Sequence, residues 1–159
     1  MTTLGSQRNA MTTIVATKTE IACDLQVTYN GRQPLKVDTK IEKFDGPIVN
    51  NLWGAEEAFM GYCGAVNDWG NILAWFRDPS IKIPKLKNIE LLVVTNRKQI
   101  WHSDNFNNWT VFKEPYAAIG SGSQFAIGAL SAGLSPKEAI KIATKHDIYT
   151  GMGCKVYSF

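Results

Sequence analysis

At 159 residues, 45% hydrophobic and 19% charged, the chain has the size and composition of one ordinary globular domain. No apolar run approaches the roughly 18 residues of a membrane-spanning helix, the longest aliphatic block being Leu91–Val94, and a net charge of +3 is too mild for a nucleic-acid surface. Three scattered cysteines (Cys23, Cys63, Cys154) and two histidines argue against a disulfide framework and a zinc site.

The first ten residues, MTTLGSQRNA, are polar and aperiodic and lack the apolar stretch of a secretory signal. Residues 1–11 therefore read as a dispensable leader, 12–159 as one domain, and a cytoplasmic location is expected. From Thr12 the β-branched run Thr-Thr-Ile-Val-Ala-Thr predicts a strand to Thr17, with a second over Glu20–Asp24. Leu35–Phe44 alternates Leu35, Val37, Thr39 and Ile41 with Lys36, Asp38, Lys40 and Glu42, which predicts one half-buried strand. Asp45-Gly46-Pro47 breaks it, and residues 47–57 carry no assignable pattern.

Phe59–Gly64 reads as a strand. Trp69, Ile72, Leu73, Trp75 and Phe76 recur at helical spacing over Asn67–Phe76, and Asp78-Pro79 ends that helix. Strands are expected at Ile89–Thr95, Gln99–His102, Thr110–Lys113 and Tyr116–Ile119. A helix should follow Gly120-Ser-Gly-Ser123 as far as Ala132, and another should start at Ser135-Pro136-Lys137-Glu138, a capping box with proline at N1. A last strand covers Lys155–Phe159. Strands, then helices, then strands imply an α+β fold: a four-layer αββα sandwich of two antiparallel sheets.

Six segments carry chemistry only when taken together. They are Thr12-Thr-Ile-Val-Ala; Asp24; Lys40, 16 residues beyond it; Cys63-Gly-Ala-Val-Asn-Asp68; Ala118-Ile-Gly-Ser-Gly122; and His146-Asp-Ile-Tyr-Thr-Gly151. Singly, each reads as plain strand, surface charge or turn. In this order they resemble the β-subunits of the proteasome and the bacterial peptidase HslV, over nearly the whole chain.

The resemblance implies an N-terminal-nucleophile (Ntn) hydrolase in which Thr12, freed as the first residue, attacks peptide bonds. A threonine hydroxyl needs a base within reach, and a free α-amine titrating near ~7.7–8.0 can serve. By the same resemblance, Lys40 would stabilise developing alkoxide charge, with Asp24 orienting it. The Gly64 N–H would donate to the oxyanion, and Ser121, Asp147 and Thr150 would hold the amine and its water. The partners implied are polypeptide substrates, a homo-oligomeric ring and an AAA+ unfoldase ATPase; no cofactor, metal, nucleic acid or membrane is expected.

Rival readings are a catalytically silent scaffold subunit and a small-amide Ntn amidohydrolase, a class that often uses a cysteine nucleophile. Three features depart from the family pattern. Residues 78–90 are too short and too rich in proline and lysine for its second helix, Pro47–Glu57 reads as an insertion near the substrate cleft, and Tyr62 is bulky for a pocket wall. Met11 precedes Thr12 as in HslV, where a start methionine is trimmed.

Overall fold

In this computed structural model, which describes residues 8–29, 32–83 and 85–159, strands and helices follow in the order β1 (Arg8–Ala10), β2 (Thr13–Thr17), β3 (Glu20–Asp24), β4 (Gln26–Tyr29), β5 (Gln33–Lys36), β6 (Ile41–Asp45), α1 (Pro47–Trp53), β7 (Glu57–Ala65) and α2 (Val66–Arg77). Then come β8 (Ile89–Thr95), β9 (Ile100–Asp104), β10 (Thr110–Phe112), β11 (Tyr116–Gly120), α3 (Ser123–Ser131), α4 (Pro136–His146) and β12 (Cys154–Ser158).

An eight-stranded sheet has the order β10-β9-β8-β7-β1-β4-β5, with β6 also on β7; a four-stranded sheet has the order β11-β2-β3-β12. Strand alternation builds the layers from there. Ile14, Ala16, Ile21 and Cys23 of the small sheet meet Phe59, Leu92 and Val94 of the large one in the central core. Their neighbours Val15 and Ala22 face the other way, onto Ala126, Leu130 and Ile140 of α3 and α4. On the outer side of the large sheet, Tyr62, Leu91 and Val93 pack with Val49 and Trp53 of α1 and Trp69 and Ile72 of α2. The result is the expected αββα sandwich. Its cysteines are free, with Cys23 and Cys63 buried.

Strand β7 positions the site. One of its edges pairs with β8 from Ala58 to Gly64. The other is divided: β6 takes Glu57 to Gly61, and β1 takes Gly64 and Ala65. Lys40 lies just before β6 and Thr12 just after β1, so the gap opposite Tyr62 and Cys63 is where the two meet. From there the chain crosses to the small sheet, where Thr13 pairs with Gly120.

Four sequence expectations need correction. The predicted strand 35–44 is two strands, β5 and β6, in different parts of the large sheet. Between them the chain bends and Lys40 turns fully inward, breaking the polar face on which alternation placed it. The unassigned segment 47–57 contains α1, and the expected insertion near the cleft is instead a helix packed on the outer core through Val49 and Trp53. Part of the segment read as an aperiodic leader, Arg8–Ala10, is a strand between β7 and β4. The fourth is β4, which was not anticipated at all. The capping box at Ser135 and Glu138 is present, and none of the described residues 79–88 is helical.

Candidate active site

Thr12, Asp24 and Lys40 are all completely buried. The Lys40 ammonium has three hydrogens and three acceptors: Thr12 Oγ1, the Gln26 carbonyl and, at 2.8 Å, Asp24 Oδ1. Asp24 is equally well used. Its Oδ1 also accepts from the Thr13 N–H at 3.2 Å, and its Oδ2 accepts from the N–H groups of Gln26 (3.3 Å) and Gly151 (2.9 Å). Burial pushes the Asp24 carboxyl up from the usual range, against the pull of Lys40 and the Gly151 and Thr13 amides. Burial likewise draws Lys40 down from the ordinary lysine range, opposed by Asp24. An ion pair removed from water survives only when its remaining hydrogen-bonding capacity is filled, and here it is.

A second group holds the Thr12 main chain. Thr13 Oγ1 lies 2.8 Å from Thr150 Oγ1, which donates to Asp147 Oδ2 at 2.6 Å; the Ser121 hydroxyl donates to the same oxygen at 2.6 Å. Ser121 Oγ and the Gly122 N–H both lie 3.4 Å from the Thr12 carbonyl oxygen. Asp147 is the C-cap of α4, and Ser121 lies in the β11–α3 turn, so two elements of the small-sheet side converge here.

Gly64 borders a cavity of about 680 Å³, together with Met11, Cys63, Glu90, Asp104 and Ser121. Its φ of +115° and an Asn88 carbonyl 2.3 Å from where a Cβ would stand both require glycine. Its register partner Ala10 stands two residues before Thr12. Beside it, burial, reinforced by Glu90, pushes the Cys63 thiol far up, which disfavours a reactive thiolate, and the S–H donates to Glu90 Oε1 at 3.5 Å. Tyr62 stacks on Trp69 with ring centroids 4.6 Å apart, so its bulk is absorbed by the outer core.

The structure thus brings Thr12 and Asp24 onto the one Lys40 ammonium. Ser121, Asp147 and Thr150 form a network on Thr12 and Thr13, and Gly64 lies on a cavity that Ser121 and Met11 also line, with Thr12 itself buried behind it. Sequence reasoning missed Thr13, whose hydroxyl looks like any strand threonine, and the Gln26 carbonyl and Gly151 amide, which no side-chain motif can advertise.

No protein-family model matches this sequence, and no curated protein is similar enough to register as a match. Solved structures do match. HslV from Trypanosoma brucei is 19% identical, with 91% of this chain and 97% of that one covered at a TM-score of 0.64. Thiobacillus denitrificans BPH, determined in complex with epoxomicin, is 14% identical over 93% and 97% of the two chains (TM-score 0.61). Anbu from Hyphomicrobium sp. strain MC1 is 10% identical over 92% and 81% (TM-score 0.70). At these identities the likeness establishes the fold, that of proteasome- and HslV-like Ntn hydrolases.

Proposed function

We propose that the chain is a threonine-type endopeptidase that uses the Thr12 hydroxyl as nucleophile and the freed Thr12 α-amine as base. The observation that carries this reading is the saturation of Lys40. A buried ammonium whose every hydrogen is committed to Thr12 Oγ1, Asp24 and one carbonyl is placed to stabilise negative charge on that hydroxyl oxygen.

In the reaction, the amine takes the hydroxyl proton as Oγ1 bonds to the substrate carbonyl carbon. The Gly64 N–H donates to the oxyanion, and the amine returns the proton to the departing amine product. Water then hydrolyses the ester left on Thr12. The network of Ser121, Asp147 and Thr150 fixes the main chain on which the amine sits.

With Met11 attached, the Thr12 nitrogen is a peptide amide and cannot be that base. The placement of β1 supports self-removal of the leader. Arg8–Ala10 lies as a strand between β4 and β7, and the Met11–Thr12 bond follows where the chain leaves that slot. Attack of Thr12 Oγ1 on the Met11 carbonyl carbon forms an ester as the C–N bond breaks, and the nitrogen, taking up the hydroxyl's proton, leaves as the Thr12 amine. Water then cleaves the ester, releasing residues 1–11. The vacated slot offers two strand edges to an extended polypeptide, which backbone hydrogen bonds would hold.

The proposal extends to a homo-oligomeric, self-compartmentalised ring in the cytoplasm, fed by an AAA+ unfoldase ATPase. The helical assembly of the Pseudomonas aeruginosa Anbu complex supports self-association on this fold. The direct test is hydrolysis of a fluorogenic peptide and of casein by purified protein. Cleavage should be lost in Thr12→Ala with the fold intact, and cleavage that persists in protease-free Thr12→Ala would sink the mechanism.

A further inference from the structure

A second cluster of ligating side chains lies beside the cavity, outside the Thr12 network. Glu90 of β8 stands directly opposite Asp104 of β9, and His102 lies two residues before Asp104 on the same strand face. That face looks into the central core, to which Leu92, Val94 and Ile100 of the same strands contribute. Glu90 Oε2 and His102 Nε2 are 2.7 Å apart, and one ligating atom from each of Glu90, His102 and Asp104 fits within 4.8 Å of the others.

The pairing needs explaining. Like charges directly opposite on neighbouring strands destabilise a ladder. Among the described residues, the Asp104 carboxylate has no salt-bridge or hydrogen-bond partner, so one imidazole answers two carboxylates. The imidazole is also held in place, stacked on Phe112 with centroids 5.7 Å apart and planes 13° apart. Glu90 and Asp104 open onto the same cavity as Gly64 and Ser121.

We propose that Glu90, His102 and Asp104 form a binding site for a divalent transition-metal ion of the zinc class. Each carboxylate supplies an oxygen and His102 supplies Nε2, exchanging its hydrogen bond to Glu90 for a shared ion. The imidazole favours this class over calcium or magnesium, which take oxygen ligands throughout. Three protein ligands leave a fourth position for water or an incoming group, as at zinc sites that keep an open position. The two carboxylates and the histidine are far from any metal-ligand motif in sequence, which is why two histidines in the chain give no hint of the site. The inference stands whether or not Thr12 is a nucleophile.

The test is isothermal titration of the chelator-stripped full chain with zinc chloride, alongside cobalt(II) chloride followed by visible absorption. One equivalent should bind, with a cobalt spectrum of low coordination number. Asp104→Asn, at an exposed position that leaves the core untouched, and His102→Gln should each weaken binding by about tenfold or more, with unchanged circular dichroism. His146→Gln should bind as the parent does. The proposal is overturned by the absence of saturable binding, by affinity indifferent to both Asp104→Asn and His102→Gln, or by binding that disappears only in Cys63→Ser.

Discussion

Lys40 Nζ and Asp24 Oδ1 lie 2.8 Å apart, with both side chains wholly removed from water. Removing one partner of such a pair leaves an uncompensated buried charge, at a cost of ~3–5 kcal/mol. Lys40→Met and Asp24→Asn should each lose about that much stability in urea unfolding and at least ~100-fold in peptide cleavage. Because the pair's desolvation is itself costly, the double variant should regain part of the stability. It should regain none of the activity, since no cation then faces Thr12 Oγ1. Recovery of cleavage in the double variant would show that Lys40 only fills space.

The hydroxyl chain from Thr13 through Thr150 to Asp147 makes a different prediction. Thr150→Val is nearly isosteric but strips the partner from the Thr13 hydroxyl and one of two hydroxyl donors from Asp147 Oδ2. Leaving buried groups unsatisfied costs ~1–3 kcal/mol. Cleavage should fall by about tenfold or more as the Thr12 main chain loosens, while Thr150→Ser, which keeps the hydroxyl, should stay near the parent. Equal rates for the valine and serine variants would remove this network from the mechanism.

Much of this site was legible because its residues are tied to local signals. The β-branched run after Met11, the aliphatic block Ile89–Thr95 and the Ser135 capping box are each set by short-range chemistry, and their elements fall where those signals put them. Lys40 shows the opposite case. Alternation places it outward beside Lys36 and Glu42, but a tertiary partner, Asp24, pulls it inward and the strand breaks to allow it. Helix α1 was hard to read because it is only seven residues long, with no side-chain cap and no acidic residue in its first turn; Pro47 at its start and Gly54 at its end are the boundary signals it does carry. Strand β1 has no apolar pattern of its own. Its backbone pairing partners are β4 and β7, both distant in sequence from any local signal in residues 8–10.

Backbone clearance at Gly120 gives a prediction with an internal control. Gly120 has φ +97° and Gly46 has φ +89°, so alanine is strained at both, by ~1–3 kcal/mol. A Cβ at Gly120 would stand 1.9 Å from the Thr12 carbonyl oxygen, whereas one at Gly46 meets nothing within 4 Å. Gly46→Ala should therefore lose stability alone. Gly120→Ala should lose cleavage as well, because Thr12 must shift away from Lys40. Matching specific activities in the two variants, compared at full folding, would contradict this placement.

The leader offers the sharpest prediction, because it separates a formed site from a competent one. In the chain as it stands, Thr12 Oγ1 already meets Lys40, yet the nitrogen that the proposed mechanism uses as base is an amide. Molecules retaining residues 1–11 should therefore be inactive, and N-terminal sequencing of active material should begin Thr-Thr-Ile-Val. Self-processing further predicts that Thr12→Ala keeps its leader, which intact mass would reveal. If translation instead starts at Met11 and an aminopeptidase trims it, a chain made from Met1 would neither shed its leader nor gain activity. Once the amine is free, cleavage should rise with pH as it loses its proton, along a limb centred near ~7.7–8.0, since only the neutral amine accepts the Thr12 hydroxyl proton. Blocking the new terminus by acetylation should abolish that limb and the activity together. Robust cleavage by molecules shown by mass to begin at Met1 would refute the assignment of Thr12 as an N-terminal nucleophile.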